Sequence, residues 1–219
     1  MGIEPRVVNP EAIENESFRI IENELEEIGA KPALSPEEFS VLVRIIHATA
    51  DFDFAKNVIF HPEAVKNAIE AIKRGENVIV DVEMIKAGIN KSGLSKFGGQ
   101  VLSFMADEDV VQKAKELGIT RAICSMRKAA EVCPQGIFAI GNAPTALFEL
   151  IRLVRNKELF PSLVVGVPVG FVSAVEAKEE ALKLGDFGVP YIVARGRKGG
   201  TPVAVAAVNA LIKLAMEKG

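Results

Sequence analysis

Ile137-Phe138-Ala139-Ile140-Gly141, then Asn142-Ala143-Pro144-Thr145-Ala146-Leu147-Phe148-Glu149-Leu150-Ile151-Arg152-Leu153-Val154-Arg155-Asn156, then Leu163-Val164-Val165-Gly166-Val167, is the stretch that decides the fold. The two flanking runs are apolar without alternation, as a strand buried on both faces requires. The segment between them carries its apolar residues at helical spacing. Working outward, similar short runs occupy residues 77–82, 100–105 and 191–195. Helical patterns over 109–117, 121–132, 145–156, 174–184 and 203–218 separate or follow them. Strand and helix in alternation predict an α/β fold: a five-stranded parallel sheet with helices on both faces.

Ahead of the sheet lies an N-terminal helical segment. Residues 11–28 form one helix, ended by Lys31-Pro32. Ser35-Pro36-Glu37-Glu38 opens the next, with Ser35 as N-cap, Pro36 in the first helical position and Glu38 completing a capping box. A third helix is predicted over 62–73. No internal repeat or linker interrupts the 219 residues, so they read as one domain.

Composition narrows the function. Of the chain, 49% is hydrophobic, enough for one substantial core, and the net charge of -3 gives nucleic acid no general attraction. No apolar run approaches a membrane span, and the N-terminus lacks a signal-peptide core, which points to the cytoplasm. Cys124 and Cys133 read as reduced packing residues. Two histidines and two dispersed cysteines give no zinc pattern.

His47 is the side chain best suited to exchange a proton near neutrality. It borders the stripe Phe39, Leu42, Val43, Ile46, near the expected C-terminus of its helix, where the dipole favours positive charge. Arg44 lies one turn earlier, and Asp51, four residues on, is placed to hold the imidazole. The alternative is a core histidine satisfied by a backbone carbonyl.

Ligands of parallel sheets bind beyond the carboxyl ends of the strands. There the chain offers Asn142 as an N-cap before Pro144 and Thr145, then Gly166-Val167-Pro168-Val169-Gly170-Phe171-Val172, then Arg195-Gly196-Arg197-Lys198-Gly199-Gly200. Helix N-termini and three clustered cations suit a large anion. Ordinary turn chemistry accounts for any one of these loops, but less readily for all three. Thr120-Arg121 opens another helix, and Arg121 is a fork for a carboxylate. Asp81 and Glu83 read either as a magnesium pair or as caps. Neither a P-loop nor a dinucleotide GxGxxG is present, which weighs against a phosphate or flavin module.

Taken together, Ser17-Phe18, Arg44-Ile45-Ile46-His47-Ala48, Asp81-Val82-Glu83-Met84, Thr120-Arg121, Ile140-Gly141-Asn142-Ala143-Pro144-Thr145, Gly166-Val167-Pro168-Val169-Gly170-Phe171-Val172 and Arg195-Gly196-Arg197-Lys198-Gly199-Gly200 resemble the precorrin-8X methylmutase family. The resemblance implies a flavodoxin-like fold and a homodimer with its active site near the interface. It implies migration of a methyl group from C-11 to C-12 of a corrin ring, with no separate cofactor. The substrate would be an anionic tetrapyrrole, either metal-free precorrin-8X or cobalt-precorrin-8, and the Lys/Glu-rich composition leans toward cobalt. Onto this chain the resemblance carries His47 as catalytic acid/base and Ser17 and Arg44 as substrate contacts, with Arg121 meeting a side-chain carboxylate. With the loop reading, Asn142, Thr145, Gly170, Arg197 and Lys198 complete the expected substrate-binding set. The chain departs from the family pattern at Ala177 and Thr201, and at Ile123-Cys124 after Thr120-Arg121. A non-catalytic corrinoid carrier is the competing reading.

Overall fold

A computed structural model describes residues 9–218. In chain order these form α1 (Pro10–Glu27), α2 (Pro36–Thr49), α3 (Phe54–Asn57), β1 (Val58–Phe60), α4 (Ala64–Lys73), β2 (Val78–Val80), α5 (Glu83–Gly88) and α6 (Lys91–Ser95). Then come β3 (Val101–Leu102), α7 (Glu108–Leu117), α8 (Arg121–Val132), β4 (Gln135–Ile140), α9 (Pro144–Arg155), β5 (Phe160–Gly166), α10 (Ala174–Ala181), β6 (Tyr191–Ala194) and α11 (Thr201–Glu217).

The sheet order is β1-β6-β5-β4-β2-β3. All five expected strands are present and mutually parallel. Numbered among themselves they run 2-1-3-4-5, the flavodoxin-like order. The sheet has six strands, not five. β1 was not anticipated because it is three residues long, too short to carry a pattern. It is defined by its antiparallel ladder to β6, Val58 opposite Ala194 and Phe60 opposite Ile192.

Alternation along the strands divides the core. Val78, Val80, Ile137, Ala139, Leu163, Val165, Ile192 and Ala194 face α2, α4 and α11, while Ile79, Phe138, Ile140, Val164 and Val193 face α8, α9 and α10. Every one of these strand residues is buried, which is why the runs show no polar alternation. The capping box at Ser35 forms as expected, with the Glu38 N–H donating to Ser35 Oγ and the Ser35 N–H to Glu38 Oε2. α2 continues to Thr49 and ends on Ala50 in the left-handed conformation. That termination places His47 in the last turn.

Gly136 sits where the β4–β5 register shifts, at φ +130°, and an added Cβ would stand 2.6 Å from the Asn77 carbonyl oxygen. Gly136→Ala is expected to lower the unfolding free energy by about 3 kcal/mol, read by urea denaturation.

Candidate active site

His47 is exposed, so the core-histidine alternative falls. Phe18 of α1 meets the imidazole edge to face, with ring centroids 5.4 Å apart and planes at 87°. The same phenyl ring carries the Arg44 guanidinium 5.1 Å from its centroid. Phe18 therefore contacts both the imidazole and the guanidinium of α2. Ser17 is one residue away, its hydroxyl donating to the Ile13 carbonyl at 2.8 Å. Ser17, Ile20, Ile21, Ile46, His47 and Phe52 line a cleft of about 230 Å³. A second cleft, of about 280 Å³, opens between Arg44, His47 and Ala48 of α2 and Pro202, Val205 and Asn209 of α11. His47 is common to both. A larger cavity, of about 820 Å³, lies around Phe60, Val65 and Ile69 and contains none of the expected site residues.

Arg44 has an internal partner. Its guanidinium donates to Glu14, which Lys213 also binds at 3.0 Å. Burial pushes the Glu14 carboxyl up, but the Lys213 and Arg44 cations outweigh this and hold it below the usual carboxylate range. Asp51 does not hold His47. It and Asp53 each accept from Lys198 Nζ at 2.6 Å, tying the basic loop to the end of α2. Lys198, expected as a substrate contact, is thus engaged with two carboxylates of the chain itself. Arg197 points elsewhere, lying exposed over the Phe171 ring at 5.4 Å. Phe171 and Val172 are 82% and 84% exposed, an apolar tip beside a cation.

The carboxyl ends of β2 and β4 meet at the switch point of the sheet order, where flavodoxin-like proteins hold their ligand. Here Asp81 fills it. Its carboxylate accepts the N–H groups of Gly141 at 3.0 Å, Asn142 at 2.9 Å and Ala143 at 2.6 Å. Asn142 is therefore not the N-cap; Ala143 is, and the Asn142 side chain is exposed. The anion expected at this turn is the chain's own. Burial pushes the Asp81 carboxyl up, against those three donors. Its oxygens are turned to backbone, and Glu83 lies on α5, 3.8 Å from Lys86. The capping reading, not the magnesium pair, describes Asp81. α8 opens at Arg121 as expected; Thr120 caps it and also donates to Thr145 Oγ1 at 3.2 Å, which sets exposed Arg121 beside the start of α9. Gly170 donates its N–H to the Arg197 carbonyl at 3.2 Å. Ser17, Arg44 and His47 thus form one group, Arg121, Asn142 and Thr145 a second, and Gly170 and Arg197 a third. Among the described residues, no hydrogen bond or ion pair joins the second group to His47.

A model of the family described as Precorrin-8X methylmutase matches residues 12–214. The chain belongs to the precorrin-8X methylmutase family. It is 49% identical to the cobalt-precorrin-8 methylmutase of Priestia megaterium, over 96% of this chain and 91% of that one. It is 46% identical to the protein of the same name from Leptospira interrogans, over 94% of each. The crystal structure of precorrin-8X methylmutase from Thermus thermophilus shares 41% identity and a TM-score of 0.83, covering 95% of this chain and 99% of that one. As a methylmutase, the chain is an isomerase of cobalamin biosynthesis that shifts a methyl group within a corrinoid substrate. No helix among the described residues is long and apolar enough to cross a membrane.

Phe18 and Glu14 contact the candidate site residues His47 and Arg44, and Lys178 bonds the loop that carries Arg197, but none of the three has a role from sequence. Phe18 and Glu14 are four apart on α1, so they share a face toward Arg44. Lys178 falls on the stripe Ala174, Ala177, Ala181, a spacing that marks a buried lysine.

Asp81→Asn would turn an amide N–H₂ toward backbone donors, and should cost about 2–3 kcal/mol of stability by urea denaturation. Lys178 is fully buried, and burial lowers its ammonium from 10.5 to about 8. Between those values the unfolded chain holds more protons at this residue than the folded one. Stability therefore rises with pH across that window, by at most about 1.4 kcal/mol per pH unit, while below it the burial cost is felt in full. Denaturation of the native chain and Lys178→Met through that window should show the difference moving in favour of the native chain.

Proposed function

We propose that this methylmutase moves the methyl group from C-11 to C-12 of cobalt-precorrin-8, with His47 as the acid that assists the shift. The observation that carries this is the exposed imidazole at the shared wall of two clefts, steadied by the Phe18 edge. His47 donates a proton or a hydrogen bond to a macrocycle nitrogen near the migrating methyl. Electron density withdrawn from the conjugated system eases a suprafacial 1,5-shift, and the proton returns to the imidazole afterwards. Such assistance is worth about 10²–10⁴-fold. Ser17 lies on the same cleft as a substrate contact.

The substrate's acetate and propionate groups meet the cations at the rim. Arg121 and Arg197 are the exposed guanidinium forks for them. Arg44 exchanges Glu14 for a substrate carboxylate. Asn142, Thr145 and Gly170 line the loops that receive the ring's edge, and Lys198 braces its loop through Asp51 and Asp53. Clefts of about 230 and 280 Å³ are too small to enclose a corrin macrocycle. On the homodimer reading, a second copy of the chain covers the exposed face and completes the enclosure. Free Cys124 and Cys133 fit the reducing cytoplasm. The cobalt substrate is favoured because the relatives at 49% and 46% identity both bear that name.

The test is turnover followed by ultraviolet–visible spectroscopy, offering metal-free and cobalt-containing substrates in parallel. The native chain should convert the cobalt form faster. Folded His47→Ala should lose at least about 10²-fold in kcat while still binding the product corrinoid. Full activity in that variant overturns the role of His47. Binding without conversion by the native chain would leave a corrinoid carrier.

A further inference from the structure

Lys178 of α10 is 0% exposed and has no carboxylate partner among the described residues. Its ammonium donates instead to two backbone carbonyls, Gly196 O at 2.8 Å and Lys198 O at 2.7 Å. These carbonyls lie on either side of Arg197. The carbonyl between them, that of Arg197 itself, turns the other way and accepts from the Gly170 N–H at 3.2 Å. Three successive peptide groups are thus held, two of them by one side chain. The rest of the loop leaves no slack. Gly200 donates its N–H to Val167 O at 2.8 Å, and Gly199 packs so closely that an added Cβ would meet that same oxygen at 2.3 Å.

An unpaired buried charge costs stability, and an apolar side chain on this Ala174, Ala177, Ala181 face would pack without that cost. What an apolar residue lacks is the ability to hold two carbonyls at once. We propose that Lys178 is a positioning residue for substrate binding, clamping the loop on both sides of Arg197 so that its guanidinium faces a substrate carboxylate. This rests on Arg197 being a substrate contact, as assigned under Proposed function. Lys178 touches no substrate; it acts through the loop, and it ties the Gly170 turn to the Arg197 turn.

The test is a double-mutant cycle on the full chain, with KM and kcat measured separately and folding checked by circular dichroism. Lys178→Met and Arg197→Ala should each raise KM about tenfold and leave kcat within about threefold, because His47 stands on α2. Combining them should raise KM no further, since both remove the same contact. Lys178→Gln, which keeps a donor in place, should fall between the native chain and Lys178→Met; if the methionine variant does not fold, the glutamine variant enters the cycle. Native KM in the Lys178 variant beside an impaired Arg197→Ala overturns the clamp alone. Multiplying effects overturn it as well, by showing that the two residues act independently. Native KM in Arg197→Ala overturns the substrate contact and, with it, the purpose assigned to the clamp.

Discussion

One carboxylate organises the functional end of this sheet. Asp81 leaves β2 and takes up three consecutive N–H groups at the β4–α9 turn. A parallel sheet of this order must diverge at that point, because successive connections leave in opposite directions. The gap is usually where a ligand sits. Filling it with a side chain seals the turn and frees the neighbouring loops to face outward. It also explains why fold analogy alone misleads here. The anion-binding geometry of flavodoxin-like proteins is retained, but the anion is internal.

A second theme is that the cations near the site arrive with acidic partners. Arg44 has Glu14, and Lys198 has Asp51 and Asp53. Arg197 rests on an aromatic face, a softer hold that leaves its donors available. The contrast sorts the basic residues by task. Those bonded to carboxylates fix the relation between α1, α2 and the basic loop, and on the proposed reading Arg44 gives up Glu14 when a substrate carboxylate arrives. Those left open are suited to a polyanionic ligand.

Much of the architecture was legible in the sequence because it depends on periodicity. Five largely buried strands, the capping box and the helices around them follow from apolar spacing and cap chemistry. β1 escaped because three residues have no period, and α5 and α6 because helices of six and five residues span too few turns to show one. Site pairings were less legible. Asp51 stands four residues from His47, yet Lys198, 147 positions away, takes its carboxylate. Sequence spacing ranks local partners, whereas a buried sheet brings distant loops together. Asn142 has the chemistry of a cap because asparagine caps well, but the decisive acceptor is Asp81, just past the end of β2. His47, Arg44 and Ser17 did fall together, since all three lie on the packed pair α1 and α2. Lys178 was readable in principle, from its place in an alanine stripe, but only burial gives that spacing its meaning.

The sheet's margins carry one more implication. β1 has three residues and β3 has two, and β1 runs against its neighbour. A margin that short offers an approaching strand almost no row of unpaired peptide groups. Growth by adding strands, the route to cross-β aggregation, is therefore closed at both sides of this fold. The helices and loops, where shape and charge can select a partner, are the larger surface left for association.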